Sequence, residues 1–310
     1  MNSKIKNQVY LFFVLIVSAC SFAIADEKTN STPSEQFKSY WYQGKAELTR
    51  YKLDQARYGE IHTGDAVLIF VTEDFLKYEQ VKKEFGDSKN YTSVLKLNAT
   101  RKFYTGIYPY STMVSVFTPV DLHNDPKTLK VTSSNQEWCG QTFTQMNLRG
   151  RNYEVQLHSY FQNEADQNFK IKSVLLEDEV WTRIRISPES LPKGDIEIIP
   201  GLLFSRFRHT KSKVEKASAN LTDLTDNSLS DHPLQVYTIE YSELKRRLSI
   251  TFEKDFPHTI VAWEETQPSG FGRNAKSLTT RALRTHSIFT DYWSKNAVAD
   301  STFRIQLGLE

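Results

Sequence analysis

The chain has 310 residues, 39% hydrophobic and 25% charged, which is enough apolar material to bury one large core or two smaller ones and too much for a disordered chain. Its 39 basic and 37 acidic residues are mixed along the sequence and leave a net charge of +2, which excludes a field strong enough to gather nucleic acid. The 12 Gly and 10 Pro exclude a fibrous or linker-rich chain, and the 13% aromatic content, with many Thr, Val and Ile, favours strands over helices.

The first 25 residues carry the three parts of an export signal: Lys4 and Lys6, an apolar run from Val9 to Val17, and small residues after it. That run is too short to span a bilayer. Two processing sites compete. Val17-Ser18-Ala19-Cys20 resembles the lipobox of bacterial lipoproteins, which gives a leader of residues 1–19 and makes Cys20 the lipidated residue that anchors the chain to a membrane. Ala23-Ile24-Ala25 is a small-x-small site, which ends the leader at residue 25 and releases a soluble chain from Asp26. Residues 26–35 then serve as a polar tether and residues 36–310 as the folded domain. With either cut, Cys139 is left as the thiol of that domain, so its stability comes from the core and not from an internal disulfide. No later segment approaches the length of a transmembrane helix.

Ser34 is placed to cap a short helix through Phe37, Tyr40 and Trp41, stopped by Gly44. Ala66 to Val71 is continuously apolar and predicts a strand buried on both faces. Thr72 predicts the cap of a second amphipathic helix with Phe75, Leu76 and Val81, ended by Gly86 and Asp87. Beyond it the pattern has period two: Leu95, Leu97 and Ala99; Val114 and Val116; Tyr153, Val155, Leu157 and Phe161; Val180, Thr182, Ile184 and Ile186; Leu248, Ile250 and Phe252. Each reads as an antiparallel strand with one face buried. Residues 254–258 separate the last of these from Thr259 to Trp263, as in a hairpin, and polar residues 211–233 read as a long loop or a boundary inside the domain.

Cys139, in Glu137-Trp138-Cys139-Gly140-Gln141, and His158 offer a thiol nucleophile and a base. The flanking residues match no cysteine-protease signature, and a single free cysteine is more often a small buried core residue. His158 with Glu164 and Asp166 supplies nitrogen and oxygen donors, but the spacing fits no metal geometry, and parity places His158 on the solvent side of its strand. Trp181, Arg183 and Arg185 share one predicted strand face, where two guanidinium groups beside an indole suit an anionic head group; a plain solvated sheet face is the competing reading. Arg206 and Arg208 add basic charge nearby. Gly270-Phe271-Gly272 lacks the third glycine of a dinucleotide loop and reads as a turn. Phosphate-binding loops, serine elbows and zinc-protease motifs are missing from the sequence, so no cofactor or metal is expected.

Tyr58-Gly59-Glu60, Leu95-Lys96-Leu97-Asn98-Ala99-Thr100, Gln136-Glu137-Trp138-Cys139-Gly140, Ala165-Asp166-Gln167-Asn168-Phe169 and Tyr292-Trp293-Ser294-Lys295-Asn296 together resemble a family of uncharacterised exported bacterial proteins and lipoproteins, some of them labelled septum formation inhibitor Maf. The resemblance covers most of the mature chain and implies no activity, because the S-P-R-R loop of the nucleotide pyrophosphatases that share the label is absent. A second, architectural likeness is to periplasmic half-barrel carriers of lipids and lipoproteins.

The expected fold is mainly β, a large antiparallel twisted sheet or half-barrel with a few short helices. The expected function is a non-enzymatic protein of the bacterial cell envelope, either lipid-anchored at the periplasmic face of the outer membrane or soluble in the periplasm. It binds an amphiphilic small molecule in the concave face of its sheet. The alternatives are an envelope hydrolase using His158 with Cys139 or acidic neighbours, and an adaptor lipoprotein whose sheet edge recruits an unidentified protein partner.

Overall fold

A computed structural model describes residues 33–225 and 228–309. The export signal, Cys20 and most of the tether lie outside the described residues. The first described element is α1 (Glu35–Trp41), where Ser34 Oγ accepts a hydrogen bond from the Phe37 N–H at 3.1 Å, as the cap residue predicts.

The chain then runs as a meander: β1 (Ala46–Arg57), β2 (Glu60–Leu76), a two-residue β3 (Val81–Lys82), β4 (Tyr91–Thr105), β5 (Tyr108–Pro119), β6 (Lys130–Glu137), β7 (Gly140–Arg149), β8 (Asn152–Ser159) and β9 (Gln167–Lys172). Two-residue turns join several of these strands. Tyr58-Gly59 links Arg57 to its partner Glu60 with both turn residues at positive φ, the backbone twist that suits a tight hairpin. After β9 come β10 (Leu175–Leu176), α2 (Glu177–Ile186), β11 (Gly194–Ile199) and α3 (Leu202–Arg208). A second meander follows: β12 (Glu215–Leu224), β13 (Leu234–Tyr241), β14 (Arg246–Glu253), β15 (Ile260–Ser269) and β16 (Lys276–Thr290). A C-terminal segment ends in α4 (Thr302–Gln306).

All sixteen described strands join one sheet, because β16 pairs antiparallel with β1 and so fuses the two meanders. The order runs from β10 at one edge to β9 at the other, with β3 paired to β2 off this path. Yet only Ser173 and Val174 separate β9 from β10 in sequence. Three extended peptide steps reach about 10 Å, so the sheet must curl until its edges meet. The Lys172 Nζ to Glu197 Oε2 ion pair, 2.8 Å long, crosses that seam from β9 to β11.

Inside the curl, α2 touches strands from all round the sheet. Trp181 packs edge-on against Trp263 of β15 with ring centres 5.2 Å apart, Thr182 shares a 2.6 Å hydrogen bond with Thr118 of β5, and Arg185 reaches Glu47 of β1. The main core lines this space, with Leu97, Val116, Tyr153, Ile184, Ile239, Ile250 and Trp263 among its members. Along the strands these inward residues alternate with exposed or half-buried Lys52, Lys96, Lys102, Glu154, Lys170, Glu240, Arg247 and Arg281. An apolar interior under a charged outer face is the reverse of a membrane-spanning barrel, whose apolar band faces outward. One part of the outer face is apolar, around Leu48, Val67 and Val71, and the C-terminal segment covers it with Leu307, Tyr292 and Leu309. No described helix is long and apolar enough to cross a membrane.

Three sequence expectations are corrected. The helix expected after Thr72 is instead the end of β2, which pairs with β4 through to Leu76↔Tyr91; Thr72 Oγ1 donates to the Trp41 carbonyl at 2.8 Å and caps no helix. The strand expected across Val180–Ile186 is α2. Its Glu177, Asp178 and Glu179 at the start and Arg183 and Arg185 at the end suit a helix dipole, and enclosure on nearly every side buries Val180, Thr182, Ile184 and Arg185 alike, which imitates period two. The polar run 211–233 contains β12, where small Ala217 and Ala219 face inward between exposed Lys216, Ser218 and Asn220.

Candidate functional site

On the helix α2, Arg183 stands on the far side from Trp181 and Arg185, which lie one turn apart, and the three side chains go to different partners. Arg185 is buried and meets both oxygens of Glu47 at 2.6 Å, with its guanidinium over the rings of Trp41 and Phe70. Arg183 points elsewhere, with Nε 3.3 Å from Glu179 Oε1 and a hydrogen bond to the Pro126 carbonyl. Trp181 alone of the three faces an interior cavity.

Cys139 is exposed and not a core residue. It sits in the two-residue turn Trp138-Cys139 between β6 and β7, where Glu137 pairs directly with Gly140. Donation of the S–H to the Glu137 carboxylate and that group's negative charge push the thiol up from its ordinary range, the wrong direction for a nucleophile. His158 is solvent-facing, as parity predicts, and lies 3.4 Å from Asp166. No hydrogen bond joins Cys139 to His158 among the described residues. Nearby, Glu164 turns instead to His209, whose Nδ1 is 2.6 Å from Glu164 Oε1, and to Arg206 at 3.6 Å. This cluster ties the end of α3 to the β8–β9 loop.

Among the described residues the concave face shows only small cavities. Side chains from α2 and α3 fill it, and the interior cavity beside Trp181 has a volume of about 50 Å³, room for a few waters but not for an acyl chain.

The larger recess is on the convex face, between the outer surface of β1, β2 and β4 and the C-terminal segment. Its volume is about 850 Å³, within the range of ligand pockets. Val67, Ile69 and Leu48 form an apolar floor and Leu307 and Leu309 an apolar wall. Arg50, Lys52, Lys102 and Arg304 stand around it, with Asp65 as the acidic member of the lining. Asp65 is engaged, since Arg50 binds its Oδ1 through Nη2 at 2.6 Å and Nε at 2.8 Å. No carboxylate pairs with Lys52 or Lys102 among the described residues. The strand geometry explains this layout: Lys52 and Asp65 are cross-strand partners in the β1–β2 register and Asp65 and Lys102 in the β2–β4 register, so three charges line up across the sheet beside the apolar rows. Sequence reasoning missed this site because its residues come from four elements, and the outward-facing Leu48, Val67 and Ile69 are the one signal that an outer face needed covering.

No known protein family and no curated protein matches the chain. Among solved structures, a porin-like protein from Bacteroides uniformis ATCC 8492 aligns over 78% of this chain and 95% of its own, with 8% sequence identity and a TM-score of 0.20. At those values the likeness carries neither fold nor function to this chain.

Proposed function

We propose that this protein is an exported, non-enzymatic envelope protein that binds a single-chain anionic amphiphile, a fatty-acid-like carboxylate, in the convex groove beneath its C-terminal segment. The observation that carries the reading is the pairing of an apolar floor with cations in one recess of about 850 Å³. An acyl chain lying along Val67, Ile69 and Leu307 gains burial of about 0.8 kcal/mol per methylene group, while Lys52 and Lys102 meet the head group. The export signal and the lipobox-like Cys20 support the envelope address. The groove takes the place of the concave face, where the sequence pattern put the ligand, because side chains fill the interior.

Calorimetric titration of the protein with dodecanoate tests it, against dodecyltrimethylammonium and dodecyl maltoside as cationic and uncharged controls. Saturable binding of dodecanoate alone, weakened at least tenfold in Lys52→Glu/Lys102→Glu, supports the reading. Equal binding of all three, or binding only to vesicles of anionic lipid and not to dodecanoate, contradicts it.

A further inference from the structure

The outer side of β5, β6, β7 and β8 differs in chemistry from the rest of the convex face. Elsewhere that face is laced with ion pairs, such as Arg247 with Glu240 at 3.4 Å and Arg281 with Glu264 at 2.7 Å. Residues 108–119, 131–136 and 140–148 carry no charged side chain at all. The strand register sets their outward residues in rows that cross the sheet. Met113, Ser134, Phe143 and His158 make one such row, which spans three strand spacings, about 14 Å. Gln136 and Gln141 are direct partners in the row beside it. Residues of the opposite parity, Val116, Val131, Met146 and Val155, lie in the core, which fixes these rows as the outer set.

These rows open into a recess of about 620 Å³ lined by Gln136, Gln141, Phe143, His158, Tyr160 and Asp166. Tyr160 is held there by a bare stretch of backbone: a Cβ added at Gly140 would stand 2.7 Å from two atoms of its ring. The ring rests against the β6–β7 hairpin while Tyr160 stays 72% exposed, and Phe143 is exposed as well. Gln136 and Gln141 make no side-chain hydrogen bond among the described residues, and His158 stands 3.4 Å from Asp166. An amide carries donors and an acceptor together, which matches the two-way hydrogen bonding of a hydroxyl group. The recess is lined by no lysine or arginine, and Asp166 is its carboxylate, so it disfavours phosphate and carboxylate ligands. Phe143 and Tyr160 are its large apolar side chains, too few for the apolar core that seals a protein interface.

We propose that this recess binds a neutral oligosaccharide, with Tyr160 and Phe143 against the C–H faces of its rings and Gln136, Gln141, His158 and Asp166 bonded to its hydroxyl groups. A sugar ring joins an apolar C–H face to a rim of uncharged hydroxyls, and the recess joins flat aromatic faces to uncharged amides in the same way. The uncharged row continues past the recess to Met113, so the ligand is a chain of several sugars and not a single ring. This recess shares no lining residue with the groove beneath the C-terminal segment, and the two sites stand or fall independently.

The test titrates the 15N-labelled protein with maltohexaose, cellotetraose and chitotetraose, following backbone and side-chain amide resonances. The expected result is a saturable shift with at least one of these sugars at the Gly140 N–H and the side-chain amides of Gln136 and Gln141. That shift persists at high sodium chloride and in the presence of dodecanoate, which addresses the other site. Tyr160→Ala and Gln141→Ala, both at exposed positions, each weaken the binding at least tenfold. The absence of a saturable shift with all three sugars overturns the proposal, whether or not dodecanoate binds. So do shifts that survive unchanged in Tyr160→Ala, or a response of the same resonances to protein concentration alone, which would make this face a contact between copies of the chain.

Discussion

Arg185 and Glu47, 138 residues apart in sequence, meet in the core through two hydrogen bonds of 2.6 Å. The pair fastens the interior helix α2 to β1, and Tyr40 of α1 joins it by donating to Glu47 Oε2 at 2.7 Å. One carboxylate thus links the first described helix, the first strand and the helix that fills the sheet's interior.

Breaking this pair on one side leaves a buried charge uncompensated. Glu47→Gln is expected to destabilise the fold by about 3–5 kcal/mol, whereas Glu47→Leu combined with Arg185→Met costs much less, because both desolvation penalties disappear together. Urea denaturation of the two variants checks this. Burial works to raise the Glu47 carboxyl, but the Arg185 charge and hydrogen bonds overcome it and hold the carboxyl below its usual range. Its contribution is accordingly present above the unfolded pKa of about 4.3 and lost as pH falls through the lower folded value.

Asp178 works in the opposite direction. Its folded pKa of about 7 exceeds the unfolded value, so its contribution to stability is full below about pH 4 and declines as pH rises towards 7. Asp178→Asn keeps an acceptor for the Leu202 N–H and removes the buried charge. It is expected to raise stability at pH 8 by roughly 1–3 kcal/mol and to have little effect at pH 4. Melting temperatures at the two pH values measure this; equal effects at both would contradict it.

Gly64 lies where β2 passes β4 so closely that an added Cβ would stand 2.1 Å from the Lys102 carbonyl oxygen. Neither backbone can yield without disturbing the ladder. Gly64→Ala is expected to cost about 1–3 kcal/mol, read as a lower denaturation midpoint with an unchanged slope.

Cys139 should react with maleimide in the folded protein, since it is exposed. Its reaction rate should rise with pH along a curve displaced above an ordinary thiol, and Glu137→Gln should move that curve down. A thiol that reacts only after unfolding would refute the hairpin-tip placement.

The β-rich fold was legible in the sequence wherever a strand has one wet and one dry face, as with Leu95-Leu97-Ala99 or Leu248-Ile250-Phe252, because alternation survives in the residue types themselves. It failed where an element is enclosed. Val180 to Ile186 alternates only because α2 is surrounded, and its acidic start and basic end were the better guide. It failed again at Cys139, where average burial of cysteines outweighed the Glu137–Gly140 spacing of a tight hairpin. The convex groove left only the outward-facing Leu48, Val67 and Ile69 as a trace in the sequence, since it exists only once Lys52, Asp65 and Lys102 are brought into register and the C-terminal segment folds across them. Trp181 does line an interior cavity, although from a helix and with neither Arg183 nor Arg185 in the lining.

The most direct measurement of ligand placement is paramagnetic broadening by a nitroxide-labelled fatty acid, read on the methyl resonances of the folded protein. Binding in the groove predicts selective broadening at Leu48, Val67, Ile69, Leu307 and Leu309, with Val116, Leu248 and Ile250 in the interior spared. Broadening centred on the interior residues, or spread evenly over the surface, would contradict it.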